Sequence, residues 1–338
     1  MRRTLIIGGT RNLGPSIAGA LIARGDAVTV LNRGVTPDTL PHFIERLHAD
    51  RTDPARFRAA VSGRDFDLVI DTTLYNGAEA ETSIEIFGGN VGHYLFLSTG
   101  QVYLVRVGLE RPFREQDYPG PTIAEPSQAD EYEHGNWQYG YDKRQAEDAF
   151  ARAWEESRFP FTSLRLPIVN SERDHYDRIY GYFLRLMDGG PILIPDEPGL
   201  PLRHVYGQDV VKAILRVSDG GLGKGRAYNI GQDDTLALPE FLELLAAVCR
   251  VPLTLARVPR QQLEPEGLLP DCSPFSGRWM SALDNARSKA ELRMTYTDFP
   301  GYLPSLVSYF KARPTRQIAG YARRQRENSL CSSLNLSH

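Results

Sequence analysis

Thr4-Leu5-Ile6-Ile7-Gly8-Gly9-Thr10-Arg11-Asn12-Leu13-Gly14-Pro15 lies almost at the start of the chain and decides how the rest is read. Four residues with a buried-strand character run into a glycine turn. Pro15 then suits the first position of a helix that the pattern carries to residue 24. A strand, a tight turn and a helix N-terminus leave free N–H groups and the positive end of the helix dipole aimed at one point, which makes an anion site. Gly8 permits the turn, and Gly14 lets the helix approach the strand. Thr10, Arg11, Asn12 and Leu13 fill the turn between them and become candidate contacts for a phosphate.

Outward from that turn, short apolar runs alternate with helical patterns. Strands are expected at 4–7, 27–32, 46–49, 67–71, 94–98 and 162–166, with helices at 15–24, 54–61, 78–87 and 139–157. Strands separated by helices predict an α/β fold, a doubly wound parallel sheet covered on both faces. Ligands of such sheets bind at the carboxyl ends of the strands. Between 103 and 137 the pattern breaks into a stretch holding Pro112, Pro119, Pro121 and Pro126. A loop of that length is read as a substrate-side flap. Two domains are expected: a dinucleotide-binding one from 1–170 plus about 203–235, and a smaller substrate-binding one from 171–202 plus 236–312. The polar, partly basic 313–338 reads as a flexible, solvated tail.

Composition narrows the function classes. With 338 residues and a formal charge of −3 there is room for a large core and no electrostatic case for nucleic acid. Cys249, Cys272 and Cys331 are scattered, which indicates neither a disulfide framework nor zinc spacing. The histidines form no His-Glu-x-x-His pair, so no metal is expected. No apolar run has the length of a membrane span or of a secretory leader, and the protein reads as cytoplasmic.

The next strand end selects the nucleotide. Chains that bind NAD usually place a carboxylate there to accept from the ribose 2′-OH. This chain has Asn32-Arg33 instead, and Arg33, with Arg11, suits a 2′-phosphate. NADP is therefore the expected cofactor, with NAD as the alternative. Asp50 and Arg51 after the third strand are expected beside the adenine. Thr72 and Thr73 after the fourth are expected along the cofactor backbone. Arg11 also replaces the central glycine of the usual Gly-x-x-Gly-x-x-Gly turn, putting a side chain where backbone normally meets ligand.

Far downstream, Tyr139 and Lys143 stand four apart in a helical stretch, so both leave one face. A phenol titrates near 10 in water, and a neighbouring ammonium favours phenolate. Tyr139 is thus the candidate acid–base and Lys143 the group that tunes it and holds the ribose hydroxyls. With 16 tyrosines and five lysines, the spacing alone would arise by chance in roughly one such chain in four. Its weight comes from following the glycine turn. At the end of the fifth strand, Thr99 is the first choice and Ser98 the second for a hydroxyl that donates to the substrate oxygen.

Gly8 to Gly14, Thr99 four before Tyr103, and Tyr139-x-x-x-Lys143 together resemble the extended and atypical short-chain dehydrogenase/reductase family, often labelled NAD-dependent epimerase/dehydratase. Arg165-Leu166-Pro167 and Gln208-Asp209-Val210 match further, and Pro167 is counted among the cofactor contacts. The resemblance implies a Rossmann-type domain with a small C-terminal substrate domain, and a homodimer through helices such as 78–87 and 139–157. Relatives that dehydrate sugar nucleotides carry Asp-Glu after the threonine. Here Gly100-Gln101 cannot transfer a proton, which disfavours that chemistry. The leading expectation is an NADP(H)-dependent oxidoreductase acting on a carbonyl or alcohol of a small molecule. The alternatives are a sugar-nucleotide epimerase with tightly held NAD(P), and a noncatalytic RNA-binding or regulatory member.

Overall fold

The computed structural model describes residues 1–334. The chain divides into two compact units, the first from Met1–Pro167, Gly207–Gly231 and Ser281–Tyr296. The second comprises Ile168–Tyr206, Gln232–Met280 and the chain from Thr297 onward.

Seven parallel strands make the sheet of the first unit. They are β1 (Arg3–Ile7), β2 (Ala27–Asn32), β3 (Glu45–His48), β4 (Leu68–Asp71), β5 (Tyr94–Thr99), β6 (Phe161–Leu166) and the strand Arg226–Asn229. Across the sheet the order is Arg226–Asn229, β6, β5, β4, β1, β2, β3. This is the expected Rossmann-type arrangement, and its order reverses beside β1, where the glycine turn leaves the sheet. β1 pairs with β2 on one side and β4 on the other, so Leu5, Ile6 and Ile7 are buried. That explains why the run is apolar without alternation.

Helices of the first 167 residues include α1 (Gly14–Arg24), α2 (Pro54–Val61), α3 (Gly77–Phe87), the single turn α4 (Gln101–Leu104) and α5 (Glu131–Ser157). Phe57, Tyr94, Phe96, Phe150, Phe159 and Phe161 form an aromatic core behind the sheet. Helix α5 begins eight residues before the spacing predicts. Asp130 accepts from the Glu133 N–H, and Glu131 and Glu133 sit favourably at the positive end of the dipole. The preceding irregular stretch is stapled down rather than open. Ile123 N donates to Val105 O at 2.8 Å, Arg106 Nη1 to Pro121 O at 2.8 Å, and Tyr118 OH to Asp148 Oδ1 at 2.7 Å.

One late segment rejoins the first unit, contrary to the expected division. Phe113 N donates to Ala282 O and Asp284 N to Phe113 O, both at 2.8 Å, while Asn285 Nδ2 reaches Gly231 O. Backbone pairing across some 170 positions carries no mark in the local pattern.

In the second unit, helices Arg178–Asp188, Leu238–Cys249 and Phe299–Ala312 enclose a core rich in aromatic residues, among them Tyr182, Phe241, Phe275 and Phe299. The expected flexible tail is corrected here. A helix, Arg324–Ser333, docks on this unit, with Glu327 fully buried against Arg185 and Arg324 Nε donating to Asp188 Oδ2 at 2.7 Å. Two buried guanidinium–carboxylate contacts hold what its polar composition made look solvated. Residues 335–338 of that tail lie outside the described residues. No helix among the described residues is long and apolar enough to cross a membrane.

Candidate active site

At the end of β1 the backbone is left-handed at Gly8 (φ +94°), Gly9 (φ +80°) and Asn12 (φ +48°). A Cβ on Gly14 would lie 2.3 Å from the Gly9 carbonyl carbon, so only glycine lets α1 come this close. No side chain caps α1, and its first turn carries no acid. Thr10 and Leu13 complete the turn, the latter buried under the helix start. The donor-rich, uncapped helix end, packed tightly on the turn because Gly8 and Gly14 carry no Cβ, fits the phosphates of a dinucleotide.

The Arg11 side chain is engaged away from the turn, by the loop after β2. It is exposed, and its Nη2 donates to Thr36 Oγ1 at 2.8 Å in the loop after β2. In the same loop the Asn32 carboxamide accepts from Gly34 N, and Arg33 is exposed. Asp50 is held below the usual carboxylate range, chiefly by the N–H and hydroxyl of Thr52 and slightly by Arg33. Its neighbour departs from expectation: the Arg51 side chain is buried and pairs with Asp71 at 2.5 Å and Ser83 at 3.1 Å. A guanidinium committed to the layer behind the sheet is not available to an adenine. Thr72 Oγ1 donates to Ile7 O at 2.9 Å and Thr73 N to Asp71 Oδ1, tying the β4 end to the glycine turn.

Helix α5 places Tyr139 and Lys143 one turn apart, with the ammonium 5.8 Å from the phenol ring centroid. Gly140 between them lets α5 pack closely on α4, because a Cβ there would meet Gln101 O at 2.8 Å. Lys143 is 4% exposed, and its Nζ donates to Leu74 O at 2.5 Å and Leu97 O at 2.9 Å. Burial pushes its pKa down to about 8, against a smaller opposing pull from Asp71. Two of its three donors are therefore taken by backbone, which leaves one for a ligand.

Thr99 and Ser98 separate sharply. Thr99 Oγ1 accepts from Gln101 N at 3.2 Å and retains its own O–H as a donor. Ser98 instead gives its hydroxyl to Glu147 Oε1 at 2.5 Å inside the protein. The second-choice hydroxyl thus has its one donor committed inside the protein. Pro167 is buried where β6 ends, next to the bond from Gly100 N to Leu166 O.

The spacing did not reveal the network that takes Ser98. Arg165 Nη2 pairs with Glu147 Oε2 at 2.5 Å, both side chains being about 5% exposed. Arg165 Nη1 donates to Tyr103 OH at 2.6 Å, and Tyr103 OH to Asn229 Oδ1 at 2.8 Å. Burial would lower the Arg165 pKa, but Glu147 and Tyr103 together more than offset it and hold the guanidinium charged. Tyr103 is pushed up to about 12, mainly by burial, and stays a neutral donor. A usable signal existed: Arg165 is a charge inside an otherwise buried strand, which requires a partner, and Glu147 follows Lys143 by one helical turn.

In the second unit, Arg203 Nε donates to Gln232 O and Arg278 reaches Glu264. Burial pushes His204 down to about 3, a neutral imidazole bonded to Asn170. Asp284, in the first unit, accepts from Ala286 N at 2.9 Å.

Residues 87–231, which hold β5, α5 and β6, match the NAD dependent epimerase/dehydratase family. The chain is 23% identical over 290 residues to the 2′-dehydrokanamycin reductase of Streptomyces kanamyceticus, covering 83% of this chain and 76% of that protein. The fold is similar to dTDP-glucose 4,6-dehydratase of Bacillus anthracis in complex with NAD (TM-score 0.73, 13% identity, 93% and 97% of the two chains). It is also similar to UDP-glucose 4-epimerase of Thermotoga maritima (TM-score 0.68, 20% identity, 92% and 99%).

Proposed function

We propose that this chain, whose residues 87–231 match the NAD-dependent epimerase/dehydratase family, is an NADP(H)-dependent oxidoreductase of the short-chain dehydrogenase/reductase type. Its substrate would be a carbonyl or alcohol on a small cyclic organic molecule. The carrying observation is the Tyr139–Lys143 pair on one face of α5, with the ammonium anchored by Leu97 O on the strand that ends in Thr99.

When bound, the nicotinamide supplies or accepts the hydride. Tyr139 gives a proton to the developing alkoxide in reduction and removes it in oxidation. The Thr99 hydroxyl donates to the same oxygen and orients it. Lys143 offers its remaining N–H to the ribose hydroxyls and its charge to the phenolate. The glycine turn and the start of α1 would hold the diphosphate. Arg33, with Arg11 held at Thr36 in the same loop, would take a 2′-phosphate, a bidentate task suited to guanidinium.

The likeness to a reductase over most of the chain favours net hydride transfer. An epimerase, favoured by the solved structures of similar fold, needs the same residues and would return the hydride to the same substrate. The test is to incubate purified protein with NADPH or NADH and a panel of keto-sugars and other cyclic ketones. Net loss of reduced-nicotinamide absorbance supports the proposal. Altered substrate stereochemistry with unchanged cofactor would replace it by the epimerase reading.

A further inference from the structure

We propose that Tyr75 is a positioning residue for the Lys143–Tyr139 pair, its ring closing the water side of the buried ammonium and bracing the phenol. In its link to hydride transfer this rests on the function proposed above; the contact itself does not.

The Tyr75 ring centroid lies 5.0 Å from Lys143 Nζ and 6.3 Å from the Tyr139 ring, tilted by 56°. Phe96, at 4.8 Å, covers another side of the ammonium, but it is fully buried in the core and fixed there. Tyr75 differs in being 53% exposed, so it forms the outer wall. Its place is set from both directions along the chain. Leu74 before it is fully buried and gives its carbonyl to Lys143, while Tyr75 N donates to Glu79 Oε2 and Asn76 caps α3.

The charges around Lys143 explain why an aromatic wall matters. Those facing it are Asp71 from β4, Arg51 after β3, Glu79 from α3 and Glu147 from α5. Each carboxylate already has a guanidinium: Asp71 and Glu79 share Arg51, and Glu147 holds Arg165. The ammonium is left with two carbonyls and ring faces, whose negative quadrupole attracts a cation. Removing the exposed ring would forfeit that attraction but admit water to Lys143. Burial is the largest influence on the ammonium, so its relief outweighs the lost ring contact, raising proton affinity and freeing Tyr139 to turn.

The chain has only five lysines, so the test reads each separately. Amine acylation by a trace of reagent is followed across pH by peptide mass spectrometry in native protein, Tyr75→Ala and Tyr75→Phe. In Tyr75→Ala the midpoint for Lys143 is expected to move up by about one unit, toward the ordinary lysine value. Tyr75→Phe, which keeps the ring, should stay at the native midpoint. Lys212, Lys224, Lys289 and Lys311 should be unchanged in all three, which controls for folding. An unmoved Lys143 midpoint in Tyr75→Ala overturns the proposal, as does an equal shift in Tyr75→Phe. A shifted midpoint in a protein that turns over no ketone would leave the positioning intact and remove only the hydride-transfer reading.

Discussion

Two strand ends in the first unit are built by opposite means. The end of β1 is made of side chains that are missing: left-handed glycines and a helix that touches the turn because Gly14 has no Cβ. The end of β5 is crowded instead. Ser98, Glu147, Arg165 and Tyr103 are locked in a buried chain of short bonds, and Lys143 is driven against two carbonyls beside them. The first end is local, complete within a few residues, and open to an anion. The second joins groups 18 to 69 positions apart and has already met most of its own polar demands. An open backbone site should lose ligand affinity when altered, while a closed side-chain site should lose stability or turnover.

The largest expected effect falls on the crowded end. Tyr139→Phe should lower turnover by about a thousandfold, within the range for a lost general acid–base, while a fluorescence titration shows NADPH affinity retained. Near-native turnover would remove the proton-transfer role. Glu147→Ala should cost about 3–5 kcal/mol of stability, since it strands the buried Arg165 charge; urea unfolding midpoints measure this. A native midpoint would mean the network does not hold the corner.

Lys143 adds a pH signature. Its folded pKa, about 8, lies below the ordinary lysine value of 10.5, so between them the unfolded chain binds more protons. Stability relative to a Lys143→Met variant should therefore rise with pH across that window, by on the order of 3 kcal/mol. Below pH 8 the full penalty of the buried ammonium applies, and a flat difference between the two proteins would contradict it.

The open end should respond most gently. Arg33→Asp is expected to weaken NADPH by about tenfold, roughly 1.4 kcal/mol, and to spare NADH. Equal losses for both would place Arg33 outside the nucleotide site and sharpen the contrast differently.

The comparison also explains what could be read in advance. The β1 turn, the parallel sheet and the pairing of Tyr139 with Lys143 were legible because each depends on spacing within a few residues. Gly100 is a further case: a Cβ there would come within 2.1 Å of Ser281 Oγ, so the residue that rules out an Asp-Glu dehydration pair is also demanded by packing. The early start of α5 was hidden by the prolines before it, although Asp130 was in plain view as a cap. The docked helix at Arg324–Ser333 looked like a solvated basic tail because Arg185 and Asp188, its partners, lie some 136 to 142 residues away.

By itself, the sequence determined the hydrogen-bonding geometry of the glycine turn, the order of strands and helices, and which side chains could carry a proton. Backbone conformation and helical spacing are short-range properties, set by neighbouring residues. Only the tertiary structure decided which of those side chains remain available. Ser98 and Arg51 are consumed by Glu147 and Asp71, whereas Thr99 keeps a donor. Burial makes an unpaired polar group costly, so the fold assigns partners across long stretches of chain, and what it leaves unassigned becomes the site.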